Sequence, residues 1–264
     1  LQQNKYLPVQ YMPLTFEFTL QHDKKSWLDT GTTNGVANST SWHLSEWFLY
    51  YDIITLDAEV PQNYANVMRQ GQALNISYHS SLMQSQSVLG NAFSIQIIRN
   101  LARVKSLFIT MSHDRTVDSD PDSTQFWHPN LENQDSTVEF NSSIGGKRLI
   151  INPVGPRDSA QFYYNLLKAA GLLGSQMAST SITHEEFLGI SKSSERQIFA
   201  ICHDTEKVLE AGYSGEDFGS RALLLEFKGV GPTTDPTEHA KKCHVLIVHE
   251  AAVSITDSGV QVSS

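Results

Sequence analysis

Four aspartates between residues 113 and 125 are the first group in the sequence whose side chains suggest metal chemistry. They are Asp114, Asp118, Asp120 and Asp122. Carboxylates are the ligands that Ca²⁺ prefers, but an EF-hand also needs a glycine at the sixth position of its loop and a glutamate at the twelfth, and both are missing. We therefore predict a solvated acidic loop, with incidental calcium binding at Asp114–Asp122 as the alternative.

Two runs contain catalytic residue types in an unsuitable arrangement. His184-Glu185-Glu186 begins like a zinc-protease motif, but Leu188 stands where the second histidine belongs. Cys202-His203-Asp204 has the residue types of a nucleophilic triad, yet successive strand residues point to opposite faces, so its cysteine and histidine cannot pair locally. We predict an acidic helix start for the first run, and a core cysteine beside an exposed histidine for the second.

Two glycine-containing runs resemble fragments of known motifs. Gly145-Gly146-Lys147 lacks the full spacing of a phosphate-binding loop and is typical of a hairpin turn. Gly212-Tyr213-Ser214-Gly215 is one residue short of a nucleophile elbow. The ten histidines are scattered, without an H-x-H or H-x₃-H pair. We therefore predict no catalytic residues, no metal site and no cofactor.

The two cysteines, Cys202 and Cys243, are too few for a disulfide framework. Each stands in a strand-like run, where a thiol behaves as a small core hydrophobe, so both are predicted to be buried and free. Three N-x-S/T sequons, at Asn38, Asn75 and Asn141, are weak evidence for secretion in a chain this rich in Asn, Ser and Thr.

Composition excludes several classes. The chain has 264 residues, 40% of them hydrophobic and 18% charged, with 19 basic and 28 acidic residues and a net charge of −9. Nothing indicates a collagen-like, coiled-coil or disordered chain, and no apolar run is long enough to predict a transmembrane segment. An acidic chain without a Lys/Arg block is also a poor binder of phosphate backbones, so no direct nucleic-acid binding is expected.

Alternation of apolar and polar residues with a period of two is the main structural pattern, and it predicts about nine strands. The first is Tyr11–Gln21, and the second is Trp47–Val60, which is apolar on both faces and so is either covered on both sides or part of an interface. Between residues 92 and 112 the apolar residues fit both the period of a strand and that of a helix, and the β-branched residues favour strands with a bend near Asn100. The remaining strands are predicted around 74–78, 138–140, 148–154, 197–202, 222–228, 244–249 and 260–262.

Two short helices interrupt the strands. Pro61 opens the first, Gln62–Gln70, which ends at Gly71. The second follows Pro156, has Asp158 as its N-cap and ends at Gly171; Phe162, Leu166, Leu167 and Ala170 form its apolar face. Long loops are predicted at 22–46 and 113–136, and the second helix lies in a connection spanning 156–195. We predict one domain, residues 1–264, with an all-β jelly-roll sandwich and two helices in loops.

The order of these features resembles one jelly-roll unit of the major capsid proteins of eukaryotic viruses, in particular the Polinton-like and virophage group. The resemblance covers most of residues 10–262. Its positions are Pro13-Leu14, Trp47, Tyr51-Asp52, Leu56-Asp57, Asn63-Tyr64-Ala65, Gly71, the run Phe93 to Phe108, Phe126 with Pro129, Phe140, Ile144-Gly145, Lys147, Pro153, Tyr163-Tyr164 and Asp257-Ser258-Gly259-Val260. Those capsid proteins usually carry two jelly rolls. The chain is therefore expected to be a processed or partial product, or to belong to a single-jelly-roll family.

The resemblance implies a viral structural protein without catalytic activity, located in the virion and assembled in the host cell. Its partners would be copies of itself, as trimers or pentamers within a shell, and other capsid proteins. Candidate interface anchors are aromatic: Trp42, Trp47, Phe126, Trp127 and Tyr213. One alternative is a carbohydrate- or receptor-binding β-sandwich that calcium would assist. The other is a cupin-like enzyme, which would need the His/carboxylate cluster that the sequence lacks.

Overall fold

The computed structural model describes residues 6–19, 43–90, 92–101, 103–112, 126–127, 139–149, 159–172, 183, 199–202, 217–219, 221–228 and 242–263. The helices of this part of the chain are α1, Glu59–Arg69, and α2, Ser159–Ala169. Its strands are β1, Leu74–Ser87; β2, Ala92–Ile97; β3, Val104–Ser112; β4, Phe126–Trp127; β5, Glu139–Ile144; β6, Lys147–Arg148; β7, Phe199–Cys202; β8, Leu223–Lys228; β9, Lys242–Thr256; and β10, Gly259–Ser263.

The strands form two sheets whose order is that of a jelly roll. One sheet has the order β1-β9-β3, with β7 and β4 also paired to β3, and β10 paired to β9. The other has the order β2-β8-β5-β6. Leaving out the short β4 and the terminal β10, the first strand pairs with the last, the second with the seventh, the third with the sixth, and the fourth with the fifth. This nesting of hairpins across two sheets is the jelly-roll topology, so the predicted fold class is confirmed.

Strand β9 shows why these sequences form half-covered strands. Its fifteen residues alternate strictly between half-buried and buried side chains, from Lys242 to Thr256. Val245 and Ile247 have no exposed area, while their neighbours stay partly open to solvent. This period of two is what a strand with one face on a core produces.

The described residues group into two compact units, each with its own apolar cluster. Unit 1 comprises residues 1–78, 119–124 and 251–263, and its cluster is centred on Met68, Val253 and Ile255. Unit 2 comprises residues 79–118, 125–250 and 264, and its larger cluster includes Phe140, Phe218 and Phe227. The prediction of a single domain over residues 1–264 stays a prediction.

Both helices end where the sequence predicts. Gln70 follows α1 and Gly71 has φ +78°; Gly171, just after α2, has φ +73°. Glycine adopts these left-handed angles without the steric cost of a Cβ atom. The predicted apolar face of α2 is confirmed in part: Phe162 and Leu166 are buried in unit 2 and Leu167 is half-buried, but Ala170 is exposed and follows the end of the helix. No helix in the described part of the chain is long and apolar enough to cross a membrane.

The predicted strands Tyr11–Gln21 and Trp47–Val60 are wrong wherever the structure describes them. Residues 11–19 and 47–57 are assigned to no strand, and α1 already begins at Glu59. Alternation predicts an extended chain, but a strand also needs a hydrogen-bonded neighbour. The predicted loop at 113–136 is likewise interrupted by β4, which pairs with β3 through Met111 and Ser112.

Candidate interaction surface

Unit 1 carries a large set of exposed apolar side chains, here called the apolar surface. All twelve are between 44% and 90% exposed. They lie on two segments, 14–18 and 44–56, and are Leu14, Phe16, Phe18, Leu44, Trp47, Phe48, Leu49, Tyr50, Tyr51, Ile53, Ile54 and Leu56. Single exposed apolar residues are normal on a protein surface, whereas a contiguous run of them marks an interaction site.

The size of the apolar surface fits a protein partner. An aromatic side chain offers about 150–250 Å² of area, and these twelve residues are roughly half to nine-tenths exposed, so they present on the order of 1,000 Å². A standard protein–protein interface buries about 800 Å² on each partner. The surface is therefore large enough to support a specific and stable contact.

The backbone of the second segment is open as well. No backbone hydrogen bond joins residues 44–56 to another described residue. Side chains with even and odd numbers are both exposed, as Phe48 at 71% and Tyr51 at 70% show. A segment with strand-forming residues, whose backbone groups have no partner in the described part of the chain, is suited to pair with another sheet and to be covered on both faces.

An aromatic contact joins the two segments of the apolar surface. The ring centroids of Phe18 and Trp47 are 5.0 Å apart, with the planes inclined at 59°. Within the second segment, the ring centroids of Phe48 and Tyr50 are 6.4 Å apart. Tilted ring pairs at such distances are favourable beyond the area they bury.

Helix α1 and the chain before residue 14 position this surface within unit 1. The hydroxyl of Tyr11 donates a hydrogen bond to the carbonyl of Pro61, at 3.3 Å. Tyr11 and Met12 also pack against the cluster around Met68. The start of the first segment is thus fixed to the helix that follows the second.

Charge on the second segment has one sign. Between residues 43 and 57 the sequence places Glu46, Asp52 and Asp57, and no lysine or arginine. Such a surface does not attract phosphate groups. Its partner must therefore be recognised mainly through apolar contact.

Unit 2 has a cavity of about 460 Å³ on the β2-β8-β5-β6 sheet. Phe93, Phe140 and Phe227 line it together with Glu139 and Lys228, whose charged groups are 3.5 Å apart. The rings of Phe140 and Phe227 stack at 4.9 Å and are only 1% and 2% exposed, whereas Phe93 is half-buried. Of these three rings, that of Phe93 is the one accessible to a ligand such as a sugar.

Groups that could carry catalysis are sparse in the described part of the chain. No three His, Cys, Asp or Glu side chains there are placed to hold a metal ion. A serine–histidine contact, Ser85 Oγ to His244 Nδ1 at 2.8 Å, joins neighbouring strands on an exposed face. It therefore links two strands of the first sheet, as cross-strand polar pairs commonly do.

No protein-family model and no curated protein matches the chain. Solved structures similar to it are those of viral capsids. The PBCV-1 virus capsid is 11% identical, with 79% of this chain and 55% of that chain covered and a TM-score of 0.45. The Sputnik virophage structure is 13% identical over 72% of this chain and 39% of that one, with a TM-score of 0.39. The major capsid protein of mavirus is 8% identical, with coverages of 72% and 41% and a TM-score of 0.38.

They are structures of a virus capsid, a virophage and a major capsid protein, and viral capsid proteins are also the group that the sequence resembles. The chain spans about half the length of the solved chains that it matches. The fold itself is assigned from the strand order of the two sheets.

The structure describes three of the five predicted interface anchors, and it places them in different surroundings. Trp47 is 54% exposed, within the apolar surface. The sequence predicts a loop at Phe126 and Trp127, but these two residues form strand β4 and are part of a sheet. Trp42 and Tyr213 lie outside the described residues, as do the Asp114–Asp122 loop and His184-Glu185-Glu186. The role of all five aromatic residues as anchors stays a prediction.

Sequence reasoning missed most of the residues that make up the apolar surface. The sequence places Phe48, Tyr50 and Ile53 in a strand that is either covered on both sides or part of an interface, and they are among the most exposed apolar residues. The available signal was the apolar load on both faces of 47–56, for which an interface was the second explanation. Their number, rather than any one tryptophan, indicates the site.

Proposed function

We propose that this protein is a viral structural protein, a capsid subunit that associates with copies of itself in the virion shell. The observation that supports this most is the apolar surface of unit 1 in a chain whose sheets have the jelly-roll order. Shell subunits must bury surface against neighbours, and about 1,000 Å² of exposed apolar side chains is suited to that purpose.

The chemistry of the described residues agrees with a structural role. Among the described residues, no three His, Cys, Asp or Glu side chains are placed to hold a metal ion, and the serine–histidine contact links two strands on an exposed face. We therefore propose no enzymatic activity. Closed symmetric units, trimers or pentamers, are the proposed oligomers, with other capsid proteins as further partners.

Location in the virion follows from this proposal, and so does the absence of direct nucleic-acid binding. The net charge of −9 disfavours contact with a phosphate backbone. Since the chain spans about half of the solved chains it matches, the assembly of a whole shell is part of the proposal as well.

The proposal is tested by light scattering behind a sizing column at several protein concentrations, with negative-stain images of any heavy peak. We expect defined oligomers well above the 29.4 kDa of one chain. A strict monomer under every condition would contradict self-association. Screens of glycans and of calcium, with thermal unfolding as the readout, would then test the binding-module alternative.

A matched pair of triple variants tests the apolar surface itself. In the first, Phe48→Ser, Tyr50→Ser and Ile53→Ser replace residues of that surface. In the control, Met83→Ser, Leu89→Ser and Ile98→Ser replace apolar residues of unit 2 that are 64–81% exposed. Only the first is expected to shift the oligomer towards monomer. Equal behaviour of the two variants would mean that association uses other residues.

A further inference from the structure

We draw no further inference here: the strongest candidate, the apolar surface formed by residues 14–18 and 44–56 of unit 1, belongs to the site already described, and nothing in the structure shows what covers it.

Discussion

Ser85 Oγ and His244 Nδ1 lie 2.8 Å apart and join β1 to β9 through their side chains. Burial lowers the pKa of His244 below its ordinary value, and the charge of Lys242, two residues before it, lowers it further. Folding therefore favours the neutral imidazole. When Nδ1 carries no proton, it accepts a hydrogen bond from the hydroxyl of Ser85. A proton on this ring is bound more weakly in the folded chain than in the unfolded one.

This relationship predicts that acid destabilises the fold through His244. The unfolded histidine titrates near 6.5 and the folded one at lower pH, so stability from this group is complete above about 6.5 and is lost as pH falls from there through the folded value. Chemical unfolding at pH values from 8 to 5 should therefore show a decreasing free energy of unfolding. His244→Gln should make that decrease shallower.

The matched control for this experiment is His43→Gln, which replaces an exposed histidine outside both sheets. It is expected to leave the pH dependence as it is in the parent protein. If His244→Gln retained the full decrease, other groups would be responsible for the acid sensitivity.

Much of the fold could be predicted from the sequence because its strands obey a simple rule. The alternation at Leu74, the bend near Asn100 and the turn at Gly145-Gly146 each appear in the structure. Both helices were predicted from a starting proline and a closing glycine. These features depend on local geometry, which the sequence encodes within a few residues.

Pairing was harder to predict than conformation. The sequence of a strand does not indicate its partner. It does not show that β7 pairs with β3, nearly one hundred residues earlier in the chain, or that β8 lies between β2 and β5. The same limit explains the error at residues 47–57, where alternation predicts a strand but does not indicate which segment would pair with it. The apolar surface could be located only once its exposure was known.

Two buried serines predict opposite effects of the same substitution. Ser142 has no exposed area and its hydroxyl has no hydrogen-bond partner among the described residues, whereas Ser106 donates to the carbonyl of Ala169 at 2.9 Å. An unpaired buried hydroxyl is destabilising, so Ser142→Ala should leave the free energy of unfolding unchanged or raise it by about 1 kcal/mol. Ser106→Ala should lower it by about 1–2 kcal/mol, because a carbonyl loses its donor.

Denaturant unfolding of the two alanine variants checks this prediction, and each serves as the control for the other. The loss of a hydroxyl is the same in both, so the difference between them reports the hydrogen bond. A similar destabilisation by both substitutions would mean that Ser142 has a partner in solution.

Alanine substitutions in the turn between β5 and β6 are expected to lower the free energy of unfolding by an amount that depends on the neighbouring side chain of Arg221. Gly145 and Gly146 have φ of +55° and +83°, as a two-residue hairpin loop requires. A Cβ atom on Gly145 would meet Arg221 Cδ at 3.0 Å, while one on Gly146 would meet nothing within 4 Å. Both alanine variants should lose about 1–2 kcal/mol from the left-handed backbone, and Gly145→Ala should lose more because Arg221 must move.

A double-mutant cycle isolates the second contribution. In an Arg221→Ala background the extra cost of Gly145→Ala should disappear, whereas the cost of Gly146→Ala should stay the same. If the Arg221 background relieved neither variant, the larger loss at Gly145 would have to come from the backbone alone.

The dependence of oligomer formation on salt concentration is expected to show whether apolar contact or ion pairing drives the proposed association. The chain carries a net charge of −9, so copies repel each other at low ionic strength. The Debye length, over which charges act on each other, falls from about 10 Å at 0.1 M salt to about 3 Å at 1 M. High salt therefore removes the repulsion between copies but leaves apolar contacts intact. We expect oligomers to increase with sodium chloride when light scattering is repeated across this range. Dissociation at high salt would show that ion pairs hold the copies together.

The burial of Cys243 predicts that its thiol becomes accessible only when the chain unfolds. Burial raises the pKa of the Cys243 thiol to about 12, and its side chain has no exposed area. Cys202 lies opposite Ser106 of β3 and Cys243 opposite Met111, on different strands paired to β3. Five residues of a strand span about 16 Å, far more than the 7 Å limit between the Cα atoms of a disulfide.

A thiol-specific chromophore should therefore leave Cys243 unmodified in the native protein at pH 8, since neither the thiolate nor access is available. In guanidinium without reductant, two thiols per chain should react at once. Cys243→Ala is the control, because it should remove one of these two and none of the native reactivity. A denatured chain with no reactive thiol would reveal a disulfide, and would contradict the separation that β3 imposes on the two cysteines.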